Sequence, residues 1–360
     1  MKKLNIEYIS KSVRKIFTYF EGFGGIGAQS ASLKRLEKIL NVCFKCVGIA
    51  EIEPHALAVY EKLNGAVKNF GDITKIDFKK LPHFDFITWS SPCQDASSAG
   101  QRKGFKEGSG TRSSLAWYLI PLLKAKQVQN DLPLMICFEN VLGILQGENK
   151  KTFDEFLEAI KKFGYVISYQ VLDANDYGTA QHRERVFVIC SLIDVGFEFP
   201  KPRKERVLLK DILDKDIDPK YYYNSTNPIT RSLYSGKGRT LRIHNSNSPH
   251  GYTLSTHGTG RPEDNYFFIN DFGNVPVVRA NLKFMTKHKL SIDELYKAQI
   301  RSITPNEAIR LMGFNEEEME LILKANLPKT WLYYVLGNSI CPPVLEDIFF
   351  EYFKRVLEMK

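Results

Sequence analysis

The first half of the chain alternates short apolar runs with helix-like segments, and this alternation limits the possible folds more than any other feature. Apolar runs of strand length occur at residues 15–20, 44–51, 84–90, 134–139, 165–172 and 186–191. Helical patterns fall between most of them, at residues 27–40, 54–63, 114–126 and 152–163. Strands that alternate with helices predict an α/β fold with a mostly parallel, doubly wound sheet. In such a sheet, functional residues gather at the carboxyl ends of the strands.

The sequence changes character near residue 196. Residues 200–204 have the composition of a linker, and turn-forming Asn, Gly and Pro dominate from there to about residue 280. Helical patterns return at residues 292–297 and 306–312. With 360 residues, 43% of them hydrophobic, the chain is long enough for a sizeable core and about two domains. We therefore expect a second, smaller region of irregular structure with short strands.

No apolar run approaches the ~20 residues that a membrane span requires, and the first residues lack the apolar segment of a signal peptide. These features predict a cytoplasmic protein, in which six scattered cysteines would be reduced. Cys43 and Cys46 have C-x-x-C spacing, but no second pair follows at the spacing of a zinc site. Ordinary packing is the favoured interpretation, and a metal site is the alternative.

Positive charge is concentrated in one part of the chain. The net charge is +9, and residues 219–262 contain no Asp or Glu. The basic side chains of this stretch are Lys220, Arg231, Lys237, Arg239, Arg242 and Arg261, together with His244, His250 and His257. Such a stretch favours binding to a phosphate backbone, because any carboxylate there would be repelled. A solvated loop region is the alternative.

A glycine-rich turn, Phe23-Gly24-Gly25-Ile26-Gly27, lies between the first predicted strand and its helix. Glycines let the backbone approach a nucleotide-like ligand beside the helix N-terminus. Glu51, at the end of the second strand, is placed to hold ribose hydroxyls. Asp72 is placed to accept a hydrogen bond from a ligand amine. A tight turn without a ligand and a nicotinamide site are the alternatives.

Ser91-Pro92-Cys93-Gln94 follows a buried-strand pattern and precedes a glycine-rich polar loop. A thiol at the carboxyl edge of a parallel sheet is placed for nucleophilic attack, although a buried structural cysteine is the alternative. Glu139, in Glu139-Asn140-Val141, supplies a carboxyl group at another strand end, or else caps the next helix. Together a cysteine and a carboxyl group can perform addition chemistry on an aromatic ring.

Gln181-His182-Arg183-Glu184-Arg185 adds a charged motif whose plainer interpretation is a salt-bridged turn.

These four motifs stand in the order found in the DNA cytosine-5 methyltransferases. The penultimate motif of that family resembles Arg301-Ser302-Ile303-Thr304-Pro305 with Leu311-Met312-Gly313-Phe314. Its last motif resembles Gly337-Asn338-Ser339-Ile340 with Pro342-Pro343. The resemblance runs from residue 16 to about residue 350, interrupted only by the basic region. The chain thus resembles the bacterial or phage restriction–modification members of the family.

The resemblance implies a Rossmann-like methyltransferase that uses S-adenosylmethionine, yields S-adenosylhomocysteine and needs no metal. It implies a catalytic domain at residues 1–195, a target-recognition domain at 196–300, a hinge at 301–331 and a C-terminal segment at 332–360 that completes the catalytic domain. The implied cofactor-binding residues are Phe23, Gly25, Ile26, Gly27, Glu51, Ile52, Asp72, Ile73, Pro92, Asn338 and Ser339. Glu51 would hold the ribose, while Ile52 and Ile73 would flank the adenine.

The family's chemistry implies that Cys93 attacks C6 of cytosine and makes C5 nucleophilic. Glu139 would hydrogen-bond the ring at N3, and Arg183 and Arg185 would orient the base and the catalytic strands. C5 then gains the methyl group and loses its proton, and elimination frees Cys93. On this basis we predict an active enzyme.

Such attack is impossible inside a stacked duplex, so the cytosine must be flipped out. Residues 97–112 contain four glycines and suit a mobile lid, with a plain connector as the alternative. The expected DNA contacts are Gln94, Ser97, Gln101, Arg102, Lys103, Arg239, Arg242, Thr253 and Leu254. Thr253-Leu254 resembles the recurring Thr-Leu pair of the family's recognition regions, and Thr240-Leu241 is a second candidate.

Three positions depart from the family's commonest pattern. Glu21 stands where Asp is usual, Gly24 where Ala is common, and Ser91 where an aromatic residue precedes Pro-Cys. None of these changes removes a catalytic group, although the change at Gly24 could alter how tightly the cofactor is held. We expect a monomer that acts on double-stranded DNA, without a membrane, in the bacterial cytoplasm or nucleoid. It would act alone or beside a cognate restriction endonuclease with which it forms no stable complex.

Three other functions remain open at this point. A transfer-RNA methyltransferase of the same family has similar motifs, but it lacks a long recognition region such as residues 196–297. A DNA-binding protein with a decayed catalytic site is disfavoured by the intact Cys93, Glu139 and Arg185. A nicotinamide oxidoreductase would leave the cysteine, the carboxyl group and the basic region without a role.

Overall fold

The computed structural model describes residues 14–92, 112–222, 241–244, 248–254, 266–268, 277–280 and 300–359. Its largest sheet has six strands in the order β2-β1-β3-β4-β7-β5. These are β1 (Lys15–Gly22), β2 (Val42–Ala50), β3 (Phe86–Trp89), β4 (Met135–Val141), β5 (Val166–Asp173) and β7 (Glu184–Ser191). Strands β1 to β4 pair in parallel, and β7 lies antiparallel between β4 and β5. The predicted α/β class with a mostly parallel sheet is confirmed.

Helices cover both faces of this sheet. They are α1 (Ala28–Leu40), α2 (Pro54–Asn64), α3 (Leu119–Val128), α4 (Glu148–Lys161), α5 (Pro305–Leu311), α6 (Glu316–Leu323), α7 (Lys329–Gly337) and α8 (Pro342–Glu358). One hydrophobic core contains buried side chains of α1, α2 and α5 to α8, and a second contains those of α3 and α4. Because each face of the sheet has its own core, the central strands are buried on both sides, which explains their continuous apolar sequences.

The last helix, α8, packs against the first part of the chain. The ring of Phe353 lies 4.9 Å from that of Phe17, 4.8 Å from that of Phe44 and 5.0 Å from that of Phe86, measured between centroids. At the start of α8, the Ser32 hydroxyl donates to the Pro342 carbonyl at 2.9 Å. The C-terminal segment therefore completes one face of the main sheet.

A second sheet of four strands lies in the region after residue 222. Its order is β11-β8-β10-β12, with β8 (Leu241–His244), β10 (Tyr266–Phe268), β11 (Val277–Ala280) and β12 (Ile300–Ser302). A short parallel pair, β6 (Gln181–His182) with β9 (Gly251–Tyr252), connects this region to the residues just before β7. The short strands agree with the expected β-containing second region, while the helix predicted at residues 292–297 lies outside the described residues.

A network of charged side chains joins β12 to the helices that follow it. The guanidinium of Arg301 makes two hydrogen bonds of 2.7 Å to the carboxylate of Glu307, and both side chains are buried. Glu307 also accepts hydrogen bonds from the backbone N–H groups of Asp214 and Thr304. Arg310 reaches the Asp214 carboxylate at 2.6 Å. These contacts fix the segment before the second sheet against the segment after it.

Cys43 and Cys46 both lie half-buried on β2, and the Tyr60 hydroxyl donates to the Cys46 sulfur at 3.6 Å. Within the described ranges, no group of three or more His, Cys, Asp or Glu side chains is arranged to hold a metal ion. In those same ranges, no helix is long and apolar enough to cross a membrane.

Candidate active site

The glycine-rich turn after β1 has two glycines with different surroundings. Gly25 and Gly27 both have positive φ angles, of 55° and 81°. A Cβ atom added to Gly25 would meet no atom of the described residues within 4 Å, so the described structure leaves open space there. A Cβ atom on Gly27 would lie 2.1 Å from Nδ2 of Asn64 and 2.7 Å from the ring of Tyr60. Gly25 therefore leaves room for a ligand, whereas Gly27 permits close packing of α1 and α2.

The carboxylate of Glu51, just after β2, is held by three backbone N–H groups. Its Oε2 accepts from Gly25 at 2.8 Å, and its Oε1 accepts from Ile52 at 2.8 Å and from Glu53 at 2.7 Å. A carboxylate has about four acceptor positions, so roughly one is left for a ligand. The orientation of Glu51 is thus fixed beside the turn that a ligand would approach. The neighbouring Ile52 side chain is 73% exposed, which is unusual for a large apolar residue.

The other predicted cofactor residues divide between the surface and the core. Ile26 and Ile73 are buried, so a ligand would meet mainly their backbone. The carboxylate of Asp72 accepts hydrogen bonds from the backbone and hydroxyl of Thr74, which hold its pKa below the usual value. Phe23 packs edge-on against Trp89 with 5.2 Å between ring centroids.

Asn338 and Ser339 lie in the loop between α7 and α8, and Arg183 holds that loop in place. Asn338 is exposed and Ser339 is buried. The guanidinium of Arg183 donates to the carbonyl groups of Gly337 at 3.0 Å and Ser339 at 2.6 Å. Arg183 is itself buried. It therefore links the residues before β7 to the last predicted motif.

Glu139 lies near the end of β4 and is 8% exposed. Its Oε1 is 3.3 Å from Nε of Arg185 on β7. Burial raises the pKa of the Glu139 carboxyl group, and the positive charges of Arg185 and Arg183 oppose that shift. The raised pKa makes the protonated carboxyl group, which can donate a hydrogen bond as well as accept one, easier to reach than on an exposed Glu.

Asn140 joins the ends of two neighbouring strands. Its Nδ2 donates to the hydroxyl of Ser91 at 3.2 Å and lies 3.4 Å from the Ser91 carbonyl oxygen, and both side chains are buried. Ser91 follows β3, and Glu139 immediately precedes Asn140. The contact therefore fixes the residue two positions before Cys93 against the residue that follows Glu139. The sequence motif contains Asn140, but nothing in it identifies Ser91 as its partner.

Several predicted residues lie outside the described part of the chain. These are Cys93, Gln94, Ser97, Gln101, Arg102, Lys103 and Arg239, while Arg242 is described only as part of the β8 backbone. The second Thr-Leu candidate includes Thr240, which also lies outside. The described residues that directly precede Cys93 in the sequence are Ser91 and Pro92.

The Thr253-Leu254 pair contacts the protein itself. The hydroxyl of Thr253 donates to the carbonyl of His182 at 2.9 Å, and the side chain of Leu254 is 2% exposed within the core that contains α5 to α8. Nδ1 of His182 in turn lies 2.6 Å from the Asp173 carboxylate. The pair therefore anchors the second region to the strands that carry Arg183 and Arg185.

Comparison with known proteins agrees with this geometry. Residues 17–354 match the family model of the C-5 cytosine-specific DNA methylases. The Type II methyltransferase M2.ScrFI of Lactococcus lactis subsp. cremoris is 34% identical over 307 residues, which cover 82% of this chain and 73% of that protein. The orphan methyltransferase M.SPRI of Bacillus phage SPR is 28% identical over 434 residues, which cover 91% of this chain and 95% of that protein.

Two solved structures share the fold at low sequence identity. The Entamoeba histolytica methyltransferase EhMeth has a TM-score of 0.77 at 19% identity and matches 95% of this chain and 99% of that one. The S. pombe Dnmt2 methyltransferase has a TM-score of 0.71 at 20% identity and matches 95% of this chain and 100% of that one. Because the family model spans nearly the whole chain, the protein belongs to the C-5 cytosine-specific DNA methylase family.

Proposed function

We propose that this enzyme methylates a flipped cytosine within a specific sequence of duplex DNA, through a covalent bond between Cys93 and C6 of the base. The observation that carries the proposal is the buried Glu139, paired with Arg185 at 3.3 Å and adjacent to the Asn140–Ser91 contact. Ser91 precedes Cys93 by two residues, and consecutive Cα atoms are about 3.8 Å apart. Ser91 is thus tied to the residue that follows Glu139, which supports a thiol two residues later acting together with that carboxyl group.

The glycine-rich turn and Glu51 fit S-adenosylmethionine, the methyl donor of the family. Bound there, it would supply an electrophilic methyl group on a sulfonium ion. The open space at Gly25 and the remaining acceptor position of Glu51 suit a ribose, and the exposed Ile52 suits the face of an adenine. Asp72, Asn338 and the ring of Phe23 would complete the pocket.

The two halves of the site divide the chemistry. The Cys93 thiolate adds to C6, and the electron pair displaced from the C5–C6 double bond makes C5 nucleophilic. Glu139, whose pKa is raised by burial, donates a hydrogen bond to N3 in its protonated form and stabilises the charge that develops on the ring. C5 gains the methyl group, its proton leaves to a base, and the thiolate is expelled as the double bond re-forms. Arg185 orients Glu139, and Arg183 holds the loop that contains Asn338.

The base reaches this site only after it leaves the stack, at a cost of a few kcal/mol. We assign the lid to residues 97–112 and the DNA contacts within it to Gln101, Arg102 and Lys103. In the second region, Arg239 and Arg242 would contact DNA, while Thr253 and Leu254 hold that region against the strands of the active site. We infer a monomer that does not need a stable complex with an endonuclease.

The covalent step can be tested with 5-fluorocytosine, because a fluorine on C5 cannot leave as a proton and the adduct persists. Native protein, S-adenosylmethionine and a random-sequence duplex with 5-fluorocytosine in one strand should give a protein–DNA band that survives denaturing electrophoresis. Cys93→Ala should give none, although it should still bind the duplex. A 5-fluorocytosine-containing RNA serves as the competing substrate. An adduct on RNA alone would contradict the assignment to DNA, and an adduct with Cys93→Ala would contradict the assigned nucleophile.

A further inference from the structure

A carboxyl group lies beneath the glycine-rich turn without a cation beside it. Glu21, the last residue but one of β1, is fully buried. Its Oε1 accepts a hydrogen bond from the Ser30 hydroxyl at 2.8 Å, while its buried Oε2 has no hydrogen-bond partner among the described residues. A Cβ atom on Gly24 would lie 3.3 Å from that Oε2. The oxygen therefore lies directly under the turn.

The elements β1, β2, α1 and α2 place neutral polar groups around Glu21. The Ser30 hydroxyl of α1 is 2.7 Å from the hydroxyl of Tyr19 on β1 and 2.9 Å from that of Tyr60 on α2. The Tyr60 hydroxyl also reaches the thiol of Cys46 on β2. Burial raises the pKa values of Tyr19, Tyr60 and Cys46, so all three stay neutral near pH 7.

Two carboxylates nearby are engaged elsewhere. Glu37 of α1 raises the pKa of Tyr19 and accepts a hydrogen bond from the backbone N–H of Phe44 at 2.8 Å, and Glu51 accepts from three backbone N–H groups at the turn. Among the described residues, no Lys, Arg or His contributes to the charge balance of Glu21. Burial without a cation raises the pKa of Glu21 to about 7, against the opposing effect of the Ser30 and Tyr60 hydroxyl groups. The carboxyl group is thus easily switched between its charged and neutral forms by a new charge close to the turn.

We propose that Glu21 is a positioning residue that couples a proton to the cofactor: it ionises when S-adenosylmethionine lies on the turn and is protonated again when the product replaces it. S-adenosylmethionine has a net charge of +1, because its sulfonium and ammonium groups outweigh its carboxylate. S-adenosylhomocysteine has lost the sulfonium charge and is neutral overall. In a buried site of low dielectric constant, ionised Glu21 favours the substrate over the product. The inference rests on the cofactor placement under the proposed function.

The sign of the pH dependence follows from this linkage. The ionised form binds S-adenosylmethionine better, so binding lowers the pKa of Glu21 and releases a proton to solvent. At pH 6 that proton must first be removed, whereas at pH 8 it has already left. If binding lowers the pKa by one unit, the dissociation constant falls about fivefold between pH 6 and pH 8, and about 0.4 proton is released at pH 7. For S-adenosylhomocysteine, we expect little change of the dissociation constant with pH and little release of protons.

Isothermal titration calorimetry of the full-length protein tests the inference. Both ligands are titrated at pH 6, 7 and 8 into native protein, Glu21→Gln, Glu21→Asp and the control Glu37→Gln, which removes a nearby charge outside the site. The preference of native protein for S-adenosylmethionine over S-adenosylhomocysteine should rise about fivefold from pH 6 to pH 8. Glu21→Gln should lose that rise, while Glu21→Asp and Glu37→Gln should keep it. Changes in the protonation of the ligands themselves are the same for every variant, so they cancel when the variants are compared.

A second measurement uses native protein alone and does not depend on how the variants fold. Titrations at pH 7 in buffers of different ionisation enthalpy count the protons released, and S-adenosylmethionine should release more than S-adenosylhomocysteine. An unchanged pH dependence in Glu21→Gln, or equal proton release by both ligands, would overturn the role of Glu21. Failure of native protein to bind either ligand at any pH would instead overturn the cofactor placement, and the inference with it.

Discussion

Glu139 shows how the chemistry of a single residue depends on its surroundings. The same carboxyl group on the protein surface would be ionised at neutral pH and could only accept hydrogen bonds. At the end of β4 its burial favours the protonated form, and Arg185 at 3.3 Å limits that shift and holds the group in one orientation. A carboxyl group in this setting can change its protonation as the charge on a cytosine ring changes, when the thiolate adds and when it leaves.

The change Glu139→Gln keeps the shape of the side chain but removes its ability to vary its charge. We expect the rate of methyl transfer to fall by at least about 100-fold, because general acid catalysis typically contributes that much or more. The rate is measured as transfer of a labelled methyl group to DNA. Glu155→Gln, which removes an exposed carboxylate on α4, serves as the control and should retain the native rate. A native rate in Glu139→Gln would exclude the assigned role.

At the scale of elements, the apolar runs predicted the strands of the main sheet closely. The central strands β3, β4 and β7 are buried on both faces, whereas the edge strand β5 is largely exposed and was predicted from its apolar and aromatic residues. The start of α4 was less visible, since residues 148–151 are polar and the amphipathic pattern begins only at residue 152. The short 3-10 helix Arg112–Tyr118 before α3 was not distinguished from the helix itself. Thr304 and Glu307 form a capping box, which the spacing T-x-x-E could have indicated before α5.

The predicted site followed from motifs that place Glu51, Glu139 and Arg183 near strand ends, and the structure describes all three there. Their partners could not be predicted in the same way. The two carbonyl groups that Arg183 contacts lie more than 150 residues away in the sequence, and backbone carbonyls have no residue-specific signal. The buried Oε2 of Glu21 likewise depends on how four separate elements pack around it.

The two glycines of the turn after β1 should respond differently to a methyl group. Gly27→Ala places Cβ against Asn64 and Tyr60 at a positive φ angle, so we expect a loss of at least about 1 kcal/mol in the free energy of unfolding. Gly25→Ala meets no neighbouring atom and should lose less stability, but it should weaken S-adenosylmethionine binding. Urea unfolding and calorimetric titration of both variants measure the contrast. Equal effects of the two changes on both quantities would contradict it.

The buried ion pair between β12 and α5 makes a second prediction at this scale. Glu307→Gln leaves the guanidinium of Arg301 buried without its counter-charge, and we expect a loss of about 3–5 kcal/mol in the free energy of unfolding. Glu316→Gln is the matched control, because Glu316 pairs with Arg310 at an exposed site and should cost less than about 1 kcal/mol. Similar losses in urea unfolding of the two variants would argue against a structural role for the buried pair.

At the scale of the whole molecule, charge and connectivity separate two tasks. The main sheet, closed by α8, holds the proposed cofactor and cytosine sites, and the described part of the acid-free residues 219–262 includes β8 of the second sheet and β9 of the short pair. Three contacts link the main sheet to the second region. They are the pairing of β6 with β9, the hydrogen bond from Thr253 to His182, and the ion pair between Arg301 and Glu307. These contacts can hold a recognition surface beside the active site, while the sequence of that surface remains free to vary.

If the basic side chains of residues 219–262 contact phosphates, DNA binding should depend steeply on salt. Six contacts would lower the affinity for a duplex roughly 1,000-fold between 50 and 200 mM salt, since each contact releases condensed counterions. Fluorescence anisotropy with a labelled duplex measures the slope. Replacing Arg239 and Arg242 with Gln should reduce the slope by about two phosphate contacts. A flat response to salt would remove the basic stretch from the DNA interface.

The most direct measurement maps the product of the reaction. Purified protein is incubated with S-adenosylmethionine and unmethylated plasmid DNA, and bisulfite sequencing then locates the modified cytosines. We predict modification at one short recurring sequence by native protein and none by Cys93→Ala. No modified cytosine with native protein that binds S-adenosylmethionine, or equal modification by Cys93→Ala, would contradict the account.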